Sequence, residues 1–98
     1  MTLTDQQLAE IEELAGLFLT PDEIAILLDL DFDSFIQSLQ NKKSPAYKHY
    51  FRGKTTSKKT IRQKVIKMAH HGSPQAEEMA NEYIATQNLF EKRNHVRP

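Results

Sequence analysis

The chain has 98 residues, 39% of them hydrophobic, enough for one modest core. It contains no cysteine, which excludes a disulfide framework and a thiolate zinc site. Its 13 basic and 13 acidic residues cancel in number but are segregated. Residues 1–40 carry nine acids and no base, and residues 41–71 carry ten bases and no acid, so the two halves are expected to meet opposite partners, or each other.

Thr4 with Gln7 three residues on forms a capping box for a first helix. Leu8, Ile11, Leu14, Ala15 and Phe18 recur at helical spacing along it, and it should stop near Phe18 or Leu19. Thr20-Pro21-Asp22-Glu23 opens a second helix: a cap, a proline at the first helical position and acids in the first turn. Ile24, Ala25, Leu27 and Leu28 follow, so this short helix is expected to be mostly buried. Asp29-Leu30-Asp31 breaks it, and Asp31 caps a third helix carrying Phe32, Phe35, Ile36 and Leu39. Two helices joined by so tight a turn form a helix-turn-helix pattern over residues 20–41.

Asn41-Lys42-Lys43 is a loop, and Ser44-Pro45 starts a long basic helix over 44–71. Tyr47, Tyr50 and Phe51 form one apolar cluster on it; Ile61, Val65, Met68 and Ala69 form another. Between them, Gly53 and Thr55-Thr56-Ser57 are poor helix formers, so a kink or break is open there. Gly72 ends the helix and Ser73-Pro74 starts a C-terminal helix over 73–90, burying Ala76, Met79, Ala80, Tyr83 and Ile84 together with Leu89 and Phe90. Residues 91–98 read as a polar, flexible tail. The expectation is an all-α protein of about five helices in a single domain over 1–90.

No apolar run approaches the ~20 residues of a membrane span, and no basic-then-apolar segment marks a secretory signal, so a cytoplasmic protein is expected. Asp29-x-Asp31-x-Asp33 opens like a calcium loop but has Ser34 where glycine is needed and Gln40 where glutamate is needed; capping explains these aspartates better. Gly53-Lys54-Thr55 matches the end of a phosphate-binding loop, but Lys48 stands in place of its first glycine and no strand precedes it. His70 and His71, about 100° apart on a helix, chelate poorly, and His49 and His95 have no evident partner. No catalytic constellation is visible, so neither an enzyme, a cofactor nor a small-molecule substrate is expected.

The basic segment points to a polyanion or an acidic protein surface. A run without acids gains nothing from intrahelical pairing and repels itself. In DNA-binding helix-turn-helix proteins the second helix enters the major groove. Here it offers Gln37, Gln40 and Asn41 as side chains that can pair with base edges, but Asp29, Asp31 and Asp33 place carboxylates where phosphates would lie. Lys42, Lys43, Lys48, Arg52, Lys54, Lys58, Lys59, Arg62 and Lys64 are the candidate phosphate contacts.

Pro21 to Leu28, through Phe35 and on to Ser44-Pro45-Ala46-Tyr47, resembles the N-terminal helix-turn-helix of phage terminase small subunits. The resemblance continues through Tyr50-Phe51-Arg52-Gly53 and through Ala69-His70-His71-Gly72-Ser73-Pro74-Gln75-Ala76, and covers roughly residues 20–85. It implies a non-enzymatic protein that recognises viral double-stranded DNA at the start of packaging in the host cytoplasm. It also implies ring-like homo-oligomers and delivery of DNA to a separate ATPase–nuclease large subunit. Against that pattern, the turn position usually held by glycine is Asp29 and the reading helix is acidic, which moves the expected DNA contact to the basic helix. The alternatives are a protein–protein assembly or adaptor module that uses the complementary acidic and basic halves, and a helix-turn-helix transcription regulator.

Overall fold

The computed structural model describes residues 1–97 and is all-α. In chain order the helices are α1 (Asp5–Gly16), α2 (Pro21–Leu28), α3 (Phe32–Gln40), α4 (Pro45–His70) and α5 (Pro74–Arg93). The chain divides into two compact units, Met1–Lys59 and a second from Thr60 onward.

Local chemistry sets the helix starts. Thr4 and Gln7 close a reciprocal capping box on α1, with Gln7 N–H donating to Thr4 Oγ1 at 3.1 Å and Thr4 N–H to Gln7 Oε1 at 2.9 Å. Thr20 and Glu23 share a second box at α2. Asp31 accepts from Ser34 N–H at 3.0 Å to start α3, and Ser73 accepts from Ala76 N–H at 3.3 Å to start α5. Each side-chain oxygen satisfies a helix donor that has no partner within the helix.

Four helix ends share one closing motif. A residue one or two past the helix is left-handed, and the next N–H reaches back five residues: Leu19 to Leu14 O, Leu30 to Ala25 O, Ser73 to Met68 O and Val96 to Glu91 O. The left-handed residues are Phe18, Asp29, Gly72 and His95, so only one end carries the glycine that this Schellman geometry favours. Phe18, expected on the buried stripe of α1, instead turns the chain at φ 62°, and its ring is exposed.

The first unit packs α1, α2, α3 and the start of α4 around Ile11, Ala15, Ile24, Ala25, Phe35, Ala46 and Tyr50, with Leu14, Leu28 and Leu39 partly buried against them. The expectation that α2 is mostly buried needs correction: Ile26 is 77% and Leu27 62% exposed. A helix of two turns offers one face to the core, and Ile24, Ala25 and Leu28 take it.

Gly53 explains how α4 passes through its glycine and Thr-Thr-Ser run as one helix. A Cβ there would overlap the Glu12 carbonyl oxygen and lie 2.9 Å from its carbonyl carbon, so α1 and α4 cross backbone on backbone. Gly16 sits at the same crossing; its Cβ would come 2.9 Å from Ser57 Oγ and 3.2 Å from Gly53 O.

Ser44 joins α3 to α4. Its hydroxyl donates to Ser38 O at 2.5 Å and accepts from Tyr47 N–H at 3.1 Å. Ser44→Ala removes the cap and strands the Ser38 carbonyl, a combined cost of about 1–2 kcal/mol. The expected thermal midpoint by circular dichroism falls by roughly 5–10 °C; an unchanged midpoint would contradict the double role.

The second unit is a helical hairpin of the end of α4 and α5, turned at Gly72, φ 90°. Among its described residues it buries only Ala76 and Ala80; Val65, Ile66, Ala69 and Tyr83 are half-buried. Met79, Ile84, Leu89 and Phe90, expected inside, are exposed. The C-terminal helix also runs past its expected end at residue 90 to Arg93, where Lys92 and Arg93 complement the helix dipole. Asn94 closes it through its N–H and side-chain amide on Phe90 O. Of the segment 91–98, expected as a tail, Pro98 lies outside the described residues.

Candidate nucleic-acid interface

The outward side of α3 presents Asp33, Gln37 and Gln40, all exposed, with Ser38 half-buried. Asn41, Lys42 and Lys43 follow, also exposed. Asn41 Oδ1 accepts from Lys43 N–H at 3.1 Å, so its carbonyl oxygen serves the local turn and the side-chain NH2 is the part that can donate to a ligand. At the N-terminal end of α3, Asp29, Asp31 and Asp33 are exposed.

The Asp31 carboxyl is held below its ordinary range by hydrogen bonds from the Ser34 hydroxyl and N–H. It therefore contributes to the cap above pH 3.8, its unperturbed value, and that contribution is lost as pH falls through the lowered value. At neutral pH the N-terminal end of α3 is thus anionic, the wrong sign for phosphate.

The cations of α4 divide by helical phase. At about 100° per residue, Lys48, Arg52 and Lys59 fall within roughly 40° of one another. Ala46, Tyr50 and Gly53, the buried residues of α4, centre roughly 150° round the helix. The three cations therefore form a stripe opposite the face that packs on α1, about 16 Å long at 1.5 Å per residue, and all three are exposed.

Roughly 140° round the helix from this stripe, Lys54 lies 5.5 Å from the Phe51 ring centroid and 5.8 Å from that of Tyr50. Tyr47 and Phe51 touch at 4.5 Å between centroids. Lys58 is exposed on the same flank. In the second unit, Arg62 stacks on the Tyr83 ring at 4.3 Å, and Lys64 is exposed. The twelve candidate residues are therefore not one patch. Lys48, Arg52 and Lys59 are the set that shares a side, and Lys54 and Lys58 lie roughly 140° and 100° round the helix from it.

One contact invisible in the sequence joins the acidic and basic halves within the chain. Glu12 Oε1 lies 3.0 Å from His49 Nδ1 and 3.8 Å from Arg52. Glu12 and His49 are 37 residues apart, beyond any local pattern. An exposed pair of this kind is worth under about 1 kcal/mol, so Arg52 is free to turn to a phosphate. The other eight acids of residues 1–40 make no ion pair among the described residues.

Among the described residues no three His, Cys, Asp or Glu side chains converge on a common centre, and no helix is long and apolar enough to cross a membrane. No family model, curated protein or solved structure matches the chain.

Proposed function

We propose that the protein is a DNA-associated, non-enzymatic component of viral genome packaging, of the terminase small subunit type, and that it holds duplex DNA on α4. The observation that carries this is the Lys48–Arg52–Lys59 stripe: three exposed cations on one helix face, in a segment without a single acid. A cationic face fixed on a helix engages phosphates at little ordering cost and reads no sequence. Gln37, Gln40 and the Asn41 amide are the base readers left to α3, and the carboxylates at its entrance weaken that role.

Fluorescence anisotropy with a labelled duplex tests the proposal. Binding should be present at about 50 mM salt and weaken on the order of 40-fold by 200 mM, as expected for three phosphate contacts. No binding at low salt, or binding insensitive to salt, would overturn it.

Ile26 and Leu27, exposed beside Asp22, Glu23 and Asp29, favour a second role: a protein contact made by the helix-turn-helix unit. Apolar side chains ringed by acids suit a basic protein surface. Within the packaging proposal the larger ATPase–nuclease subunit is the partner for that surface.

A further inference from the structure

We propose that a second side of α4, built by Tyr47, Phe51, Lys54 and Lys58, binds single-stranded nucleic acid: an unpaired base stacks on Phe51, and the two lysines hold the adjoining phosphates. This goes beyond the duplex reading, because the ligand is different and the residues lie on a different side of the helix.

The four residues share a face. At about 100° per residue they fall within roughly 60° of one another. Their centre lies roughly 110° round the helix from the Lys48–Arg52–Lys59 stripe and roughly 100° from the buried Ala46–Tyr50–Gly53 side. Along the axis they run for about 16 Å at 1.5 Å per residue, with the two rings first and the two cations after them.

The outer ring is exposed yet fixed. Phe51 lies outside the buried core and is 37% exposed. Its neighbours hold its plane. The Tyr47 centroid is 4.5 Å away with the rings tilted by 44°, and Tyr50 meets it in a T-shaped contact at 5.0 Å. Tyr50 is itself part of the core, so the platform is anchored from beneath. A ring already held in place loses little freedom when a base stacks on it.

Charge selects the occupant. Lys54 Nζ lies 5.5 Å from the Phe51 centroid, and Lys58 is exposed about one turn further on. Neither lysine makes an ion pair among the described residues, and residues 41–71 contain no acid. A ring beside two cations without carboxylate partners matches a base beside its phosphates. A duplex does not offer that combination, because its base faces are covered by their neighbours in the stack; an unpaired strand does. The Lys54 ammonium that rests at the ring gives way on binding. A base stacks on an exposed ring more strongly than an ammonium is attracted to it, and the freed lysine turns to the phosphate beside it.

Fluorescence anisotropy of the full chain with labelled oligothymidine and oligouridine, which form no duplex, tests this; the tighter of the two names the sugar. Phe51→Leu should weaken strand binding on the order of 10-fold and leave duplex binding unchanged. Phe51→Trp, with a larger ring, should bind the strand at least as tightly as the wild type. Far-UV circular dichroism should show the same helix content in both. Lys54→Gln with Lys58→Gln should flatten the slope of log affinity against log salt by about 1.4, about 0.7 for each phosphate released, and this pair still decides the matter if Phe51→Leu disturbs the helix. No strand binding at low salt, a folded leucine variant as tight as the wild type, a tryptophan variant as weak as the leucine one, or a slope unchanged by the lysine pair would overturn the platform. Duplex binding without strand binding would remove this site alone, and strand binding without duplex binding would remove the duplex reading alone.

Discussion

Gly53→Ala is expected to destabilise the first unit by about 2–4 kcal/mol, although alanine is the better helix former by about 1 kcal/mol. The sign is decided by the neighbour. The new methyl would overlap the Glu12 carbonyl oxygen and lie 3.1 Å from its Cα. A backbone carbonyl held in α1 cannot rotate aside as a side chain can. The helices must separate, and the packing of Ile11 and Ala15 with Ala46 and Tyr50 loosens with them. Gly16→Ala is the internal control. Its nearest neighbour is the Ser57 hydroxyl, the end of a side chain that can turn away, so the loss should be clearly smaller. Urea denaturation of both variants checks this; a Gly53→Ala protein as stable as the wild type would rule out the close crossing.

Replacing Lys48, Arg52 and Lys59 together by glutamine is expected to weaken duplex binding on the order of 100-fold at low salt, about 1 kcal/mol for each exposed charge pair. The slope of log affinity against log salt should flatten by about 0.9 for each phosphate that is no longer neutralised. Fold stability should change little, since Lys48 and Lys59 are exposed and Arg52 makes only a long, solvent-exposed approach to Glu12 of α1, at 3.8 Å. Gln37→Ala with Gln40→Ala should change overall affinity less than about threefold, because base contacts from an anionic entrance add little to phosphate binding. Titration of a labelled duplex with the variants decides the matter. Equal losses from both sets would return the recognition role to α3.

The caps at Thr4, Thr20, Asp31, Ser44 and Ser73 are legible in the sequence because a capping oxygen and its donor lie within three residues. The five helices and the helix-turn-helix span follow from those signals and the apolar spacing between them. Gly53 is not legible: by propensity it reads as a weak point, and its purpose is visible only once Glu12 lies across it. The Glu12–His49 contact is hidden for the same reason. Phe18, Leu27 and Phe90 are misplaced by the sequence pattern because helical spacing gives a face but not its depth. A two-turn helix and a two-helix hairpin cannot cover every apolar residue they carry. Among the twelve candidate binding residues, charge alone cannot separate the stripe of Lys48, Arg52 and Lys59 from Lys54, which lies against the Tyr50 and Phe51 rings, or from Arg62, which is stacked on Tyr83 in the second unit.

The most direct test of duplex binding on α4 is an amide chemical-shift titration of the isotope-labelled protein with a short DNA duplex. The largest shifts should fall between Lys48 and Lys59, with weaker ones at Gln37, Gln40 and Asn41. Shifts confined to α3, or none at all at low salt, would contradict it.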